Sequence, residues 1–181
     1  MNSHMPSTMI RLRPLVSEDV AIIEGWPAYP AEFDDLDYAL RKNGWLAEFR
    51  DRPDTWLYAA ERLGELVAFT ILTMTATGEA EFRIALRSDK AGQGLGRSIA
   101  TSTLERGFGE IGLARIHLIV RKNNQRAILL YQRLGFVLRG ECCKTVNHKP
   151  THFFLMDIQG HDLLAAIGQP LPIRSSSTPR Q

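Results

Sequence analysis

The chain is poor in cysteine, in net charge and in long apolar runs. Its 181 residues hold only two thiols, Cys142 and Cys143. Sequence neighbours rarely bridge each other, and two thiols are too few for the crosslinked framework of a small secreted domain. A reducing, cytoplasmic setting is therefore expected. The 22 basic and 20 acidic side chains leave a formal net charge of +2. That balance argues against general nucleic-acid binding, which needs a basic excess or stripe, but it permits a local basic pocket. No apolar run approaches the roughly 20 residues of a membrane-spanning helix. The N-terminus lacks the charged and then apolar pattern of a signal peptide. No internal repeat is present. What remains is ordinary globular material, 44% apolar and 23% charged, enough to bury a core without staples. Residues 9–168 are expected to form one domain. Residues 1–5 read as a cloning remnant, and residues 1–8 are expected to be disordered. So is the Pro- and Ser-rich stretch from Gln169, residues 169–181.

Alternation and punctuation divide the domain. Residues 9–13 alternate as a strand does. Pro14 ends the run, and Ser17 is placed to cap a helix. Residues 25–30, with Trp26, Pro27 and Tyr29, read as a loop, and a second helix is expected over residues 35–49. Three strand-like runs follow at 55–62, 65–75 and 79–87, separated by Gly64 and Gly78, as in an antiparallel meander. The last run puts Phe82, Ile84 and Leu86 on one face and Glu81, Arg83 and Ala85 on the other. Then come a glycine loop, a helix to about residue 112, a strand at 115–120 and a helix at 124–134 closed by Gly135. Two late strands are expected at 137–146 and 151–158.

The glycine loop reads Ala91-Gly92-Gln93-Gly94-Leu95-Gly96, between a strand and a helix. Free N–H groups and a partial positive charge at a helix start, with glycines that let the backbone come close, suit an anion. Arg97 and Ser98 fall in the first turn. An arginine there opposes the helix dipole unless an anion sits nearby, and Lys90 adds a second positive group. The nucleotide patterns fit poorly. No lysine follows Gly96 as a P-loop requires, the third glycine comes one residue early for a dinucleotide loop, and Arg121 and Lys122 stand where that loop wants an acid.

Further along stands Asn124-Gln-Arg-Ala-Ile-Leu-Leu-Tyr131-Gln-Arg-Leu-Gly135-Phe136. With the glycine loop about 30 residues upstream, this Asn-x-x-Ala-x-x-x-Tyr-x-x-x-Gly-Phe pattern resembles the GNAT superfamily of N-acetyltransferases. The resemblance covers roughly residues 10–158. It implies an α/β (α+β) fold with a central mixed, mostly antiparallel twisted sheet of about 6–7 strands, flanked by about four helices. It also implies acetyl-CoA as cofactor. The backbone of Ile84, Ala85 and Leu86 would pair with the pantetheine arm. The loop Ala91, Gly92, Gln93, Gly94, Leu95 and Gly96, with Arg97 and Ser98, would hold the pyrophosphate. Asn124 would hydrogen-bond the arm, and Tyr131 would sit beside the sulfur. One position departs from the pattern: Ala91 stands where the family carries Gln or Arg, leaving Lys90 or Arg97 to compensate.

Acetyl transfer needs a neutral amine and a protonated leaving sulfur. A phenol is protonated at pH 7, so Tyr131 is the candidate acid. Glu81, on the strand that leads to the loop, is the candidate base, with Glu79 in reserve. Trp26, Tyr29 and Phe33 are the candidate acceptor contacts; with nearby Glu32, Asp34, Asp35 and Asp37 they suit a cationic amine. His148 and His152 have ligand-like spacing, but the paired cysteines lack the gap of a zinc site, and no metal is expected. The expected acceptor is a small amine or a protein N-terminus, with neither nucleic acid nor membrane as partner. The late strands offer an edge for a homodimer. Two rivals remain: a non-catalytic acyl-CoA-binding or regulatory module on the same fold, and a nucleotide-binding protein.

Overall fold

Alternating runs become strands nearly residue for residue. In a computed structural model of the chain, described over residues 9–168, β1 (Ile10–Pro14), β2 (Thr55–Arg62), β3 (Glu65–Ala76), β4 (Glu79–Leu86), β5 (Arg115–Arg121), β6 (Val137–Val146) and β7 (Lys149–Gln159) form a seven-stranded sheet. Their order is β1-β2-β3-β4-β5-β7-β6. Every pairing is antiparallel except β4 with β5. The expected mixed, mostly antiparallel sheet is what forms. Residues 1–8 and 169–181, expected to be disordered, lie outside the described residues.

Period-2 patterning decides which side chains face which layer. On one face lie α3 (Leu95–Gly109), α4 (Gln125–Arg133) and α5 (Gly160–Ile167). Their apolar stripes bury Leu72, Phe82, Ile99, Leu104, Ile116, Leu118, Leu134, Met156 and Ile158. On the other face α1 (Ser17–Glu24), a 3-10 segment (Ala31–Leu40) and α2 (Trp45–Phe49) cover Ala59, Phe69, Ile71 and Ala85. Burial of such surface at about 25 cal/mol per Å² is the main force holding these layers on the sheet.

Three expectations are corrected. The helix over 35–49 is two pieces. A Cβ at Gly44 would lie 1.9 Å from the Tyr38 carbonyl oxygen, so the chain folds back tightly there and a glycine is required. Ser17 is not the cap of α1 but its first residue, with Val16 at the N-cap position. The carboxylate of Asp19 accepts the Val16 N–H at 2.9 Å and pairs with Arg13 at 2.7 Å, tying the helix to β1. Finally, α5 adds a helix after β7 that the sequence reading did not foresee. It is only two turns long, and only its Leu163 is buried.

Candidate active site: a fork between two parallel strands

β4 and β5 run parallel for three residue pairs only: Glu79 with Arg115, Ala80 with Ile116 and Glu81 with His117. Beyond Glu81 the strands part. β4 stays with β3 as far as Leu86, and β5 stays with β7 as far as Arg121. The Arg87 N–H donates to the carbonyl of Val67 directly opposite, at 2.9 Å. In an antiparallel ladder the residues alternate between facing the partner and facing away. Phe82, Ile84 and Leu86 therefore turn their N–H and C=O into the fork. Ala85, grouped with Ile84 and Leu86 in the sequence reading, turns its backbone to β3 opposite Phe69. The Leu86 carbonyl accepts the Tyr29 hydroxyl at 2.6 Å, while among the described residues the backbone groups of Ile84 and the Leu86 N–H have no strand partner on this side.

The glycine loop closes the open end of β4. Gly92 and Gly94 have φ of 83° and 77°, the left-handed region where glycine carries little penalty. Gly94 is the N-cap of α3. Ala91 is exposed, Leu95 is buried in the core, and Gln93 accepts from Arg62 while donating to the Asp89 carbonyl. Gly96 lets α3 approach α4: a Cβ there would stand 3.3 Å from Leu130. Lys90 is engaged by Glu65 at 2.8 Å and is not free to stand in for the missing side chain at Ala91. Arg97 and exposed Ser98 lie in the first turn of α3.

Arg126 was not singled out from the sequence. Its guanidinium lies 2.6 Å from the point where a Cβ on Gly92 would stand. It occupies the first turn of α4, as Arg97 does on α3, and neither first turn holds an acid. Neither arginine makes an ion pair among the described residues. A cation at the positive end of a helix dipole is unfavourable without an anion. That signal, used for Arg97, was available for Arg126 too.

Asn124 caps α4, its Oδ1 accepting the Ala127 N–H at 3.2 Å. Tyr131 is buried, edge-on to Phe82 with ring centroids 6.4 Å apart and tilted against Phe136 at 5.6 Å. Burial pushes its phenol well above the ordinary tyrosine value, so the hydroxyl stays protonated. Glu81 is held by Arg83 at 2.9 Å, and the guanidinium of Arg83 stacks 4.2 Å from the Phe49 ring. Opposite Glu81, His117 shares a 2.8 Å hydrogen bond between Nε2 and Thr75 Oγ1.

A strap from α1 to α2 spans the fork. Tyr29 fastens it to β4 through Leu86, and Asp35 fastens it to β5 through a short ion pair with buried Arg121. Asp37 holds its middle, accepting the Tyr29 N–H and pairing with Arg41 at 2.7 Å. Phe33 lies at a kink inside the 3-10 segment and is half-buried. Trp26, expected to contact acceptor, is instead core. It is 5% exposed and packs on Phe69, because that face of β3 needs an apolar cover. A separate cleft, lined by Arg50, Trp56, Tyr58 and Arg106, opens near the β1–β2 edge, with β3 between it and the fork.

The model of the acetyltransferase (GNAT) family matches residues 21–136. Spermidine N(1)-acetyltransferase of Escherichia coli K12 is 39% identical over 88 residues, 48% of this chain and 47% of that protein. An E. coli K12 enzyme named for N-acetylation of an alanine of ribosomal protein bS18 is 34% identical over 88 residues, 49% of this chain and 57% of that protein. The chain thus spans about half the length of these relatives. Among solved structures, spermidine N-acetyltransferase from Vibrio cholerae in complex with CoA and spermine superposes with a TM-score of 0.71. It is 20% identical, over 86% of this chain and 98% of that one, a likeness of fold.

Proposed function

The chain belongs to the acetyltransferase (GNAT) family, and on that premise we propose that it is an N-acetyltransferase, moving acetyl from acetyl-CoA to a primary amine in a ternary complex. The fork carries this reading. Parting after Glu81 and His117 leaves, among the described residues, the N–H and C=O of Ile84 and the N–H of Leu86 without a strand partner, and a strand-like pantetheine arm would supply the matching donors and acceptors. The loop at 91–96, the free N–H groups of the α3 first turn, Arg97 and Arg126 would hold the phosphates. The cradle fits the group despite Ala91, because Arg126 covers Gly92 from the neighbouring helix. When bound, acetyl-CoA supplies an acetyl group already activated as a thioester.

The chain's own residues do the rest. A backbone N–H in the fork stabilises the developing oxyanion. Tyr131, kept protonated by burial, donates to the departing sulfur. Asn124 holds the first turn of α4 and offers its remaining amide hydrogens to the arm. Tyr29 and Phe33, on the strap, border the acceptor. Glu32 and Asp34 lie exposed on the same segment without ion pairs among the described residues, which suits a cationic acceptor. The relatives are named for spermidine and for a protein alanine, so the acceptor class runs from small amines to protein N-termini.

We place the activity in the cytoplasm; no helix among the described residues is long and apolar enough to cross a membrane. The outer edge of β6, with exposed Val137 and Leu138, is the surface for a homodimer. The test is thiol release from acetyl-CoA with spermidine, simple primary amines and an alanine-initiated peptide, alongside calorimetric CoA binding. Release with any acceptor supports the reading. Tight CoA binding with no release across the panel supports the non-catalytic CoA-binding alternative.

A further inference from the structure

On β5 the side chains of Ile116, Leu118 and Val120 are buried under the helices, while Arg115, His117 and Ile119 remain partly open on the opposite face. His117 stands at the point where the fork begins, in the last pair before β4 and β5 separate. Every neighbouring element puts a polar group toward it: Thr75 from β3, Glu79, Glu81 and Arg83 from β4, Arg115 on its own strand, and Asp157 opposite it on β7. Most of these groups are already engaged. Arg83 holds Glu81. Arg115 joins Glu79 to Asp157, each at 2.8 Å, and Arg139 takes the second oxygen of Asp157. Among the described residues, the hydrogen-bond partner of the His117 ring is the hydroxyl of Thr75.

We propose that His117, rather than Glu81, accepts the proton of the acceptor ammonium, and that Thr75 orients the imidazole for this step. The proposal rests on the acetyl-transfer reading above. With Nε2–H donating to Thr75 Oγ1, Nδ1 carries the free lone pair. A primary ammonium gives one proton to Nδ1, which passes it to solvent. The nitrogen lone pair forms the new N–C bond as the C–S bond breaks. The second nitrogen proton leaves to solvent, and the sulfur receives one from Tyr131, which is reprotonated in turn. Burial holds the imidazole below its ordinary value, so it is neutral and ready to accept at pH 7. Glu81 is a poorer choice because its carboxylate is clamped by a guanidinium that is itself packed on Phe49.

The experiment compares kcat/KM against pH for wild type, His117→Gln, Thr75→Ala and Glu81→Gln, using the best amine of the panel. His117→Gln is expected to lose about 100-fold near neutral pH. Its deficit should shrink as the pH nears the amine's own pKa, and calorimetric CoA affinity should be unchanged. Thr75→Ala should shift the acidic limb, and Glu81→Gln should keep it. A His117→Gln protein within about threefold of wild type and with its acidic limb intact overturns the assignment alone. No thiol release by wild type with any amine overturns acetyl transfer, and the assignment with it. A readout independent of turnover is NMR of the intact wild-type chain, which should give a neutral His117 ring at pH 7 with the proton on Nε2. A charged ring, or a proton on Nδ1, overturns the proposal.

Discussion

Arg126→Ala should weaken CoA binding by about 10- to 100-fold. The guanidinium lies 2.6 Å from the site a Gly92 Cβ would take, so its charge hangs directly over the loop's backbone. A phosphate held there would stand about 4 Å from the cation, where a unit charge pair is worth about 4 kcal/mol at an effective dielectric of 20. That figure is an upper bound. Arg126 is exposed in the free protein, so screening and loss of side-chain freedom bring the net effect to about 1.5–3 kcal/mol, the range of a charge-assisted hydrogen bond. Each 1.4 kcal/mol is a factor of about ten in Kd. Calorimetry with CoA at two salt concentrations checks this, and the variant should also respond less to salt. Pantetheine, which lacks the phosphates, should bind both proteins alike. Arg133→Ala, at the far end of the same helix, should behave as wild type. A CoA affinity within twofold of wild type, or an equal loss for pantetheine, would refute the electrostatic reasoning.

Three other outcomes are expected. Tyr131→Phe should lower kcat about 100-fold with little change in the KM for amine; steady-state kinetics that stay within threefold would make Tyr131 a packing residue of the Phe82–Phe136 cluster. Gly44→Ala forces a Cβ against the Tyr38 carbonyl and should cost about 1–3 kcal/mol, read as a drop of several degrees in Tm. Asp19 is held below the usual carboxylate value by its hydrogen-bonded ion pair with Arg13. Its stabilisation is therefore complete above the unfolded value of about 3.9 and disappears as pH falls through the lower folded value. Asp19→Asn should lower the urea midpoint by the equivalent of about 1–3 kcal/mol at pH 7, with the gap closing below about pH 4.

The strands and the two long helices were legible because their patterning is local. Residues 79–86 alternate, and Asn124, Tyr131 and Gly135 fall at fixed helical offsets. The fork was not legible from that patterning, because where a parallel pair ends depends on which other neighbour each strand keeps. Ala85 was misassigned for a related reason: the direction of a backbone N–H is set by ladder phase against β3, not by residue type. Trp26 went astray because an aromatic looks the same in sequence whether it lines a pocket or covers Phe69. Glu81 and Lys90 were legible as charges, but their partners, Arg83 and Glu65, are fixed by the fold. Arg126 was legible in principle, by the same dipole argument as Arg97.

The three pairs joining β4 to β5 also have a mechanical meaning. Residues 10–86 weave one antiparallel ribbon and residues 115–159 weave another, and within the sheet a seam three residues long is all that welds them. A guest that inserts as a strand would extend that weld along its open length and couple the two ribbons more tightly than the shared core and the Asp35–Arg121 pair already do. Ligand occupancy should then be felt at the outer edges, in β1 and β6, as slower amide exchange on both sides at once, with each ribbon's protection rising in step with the other's.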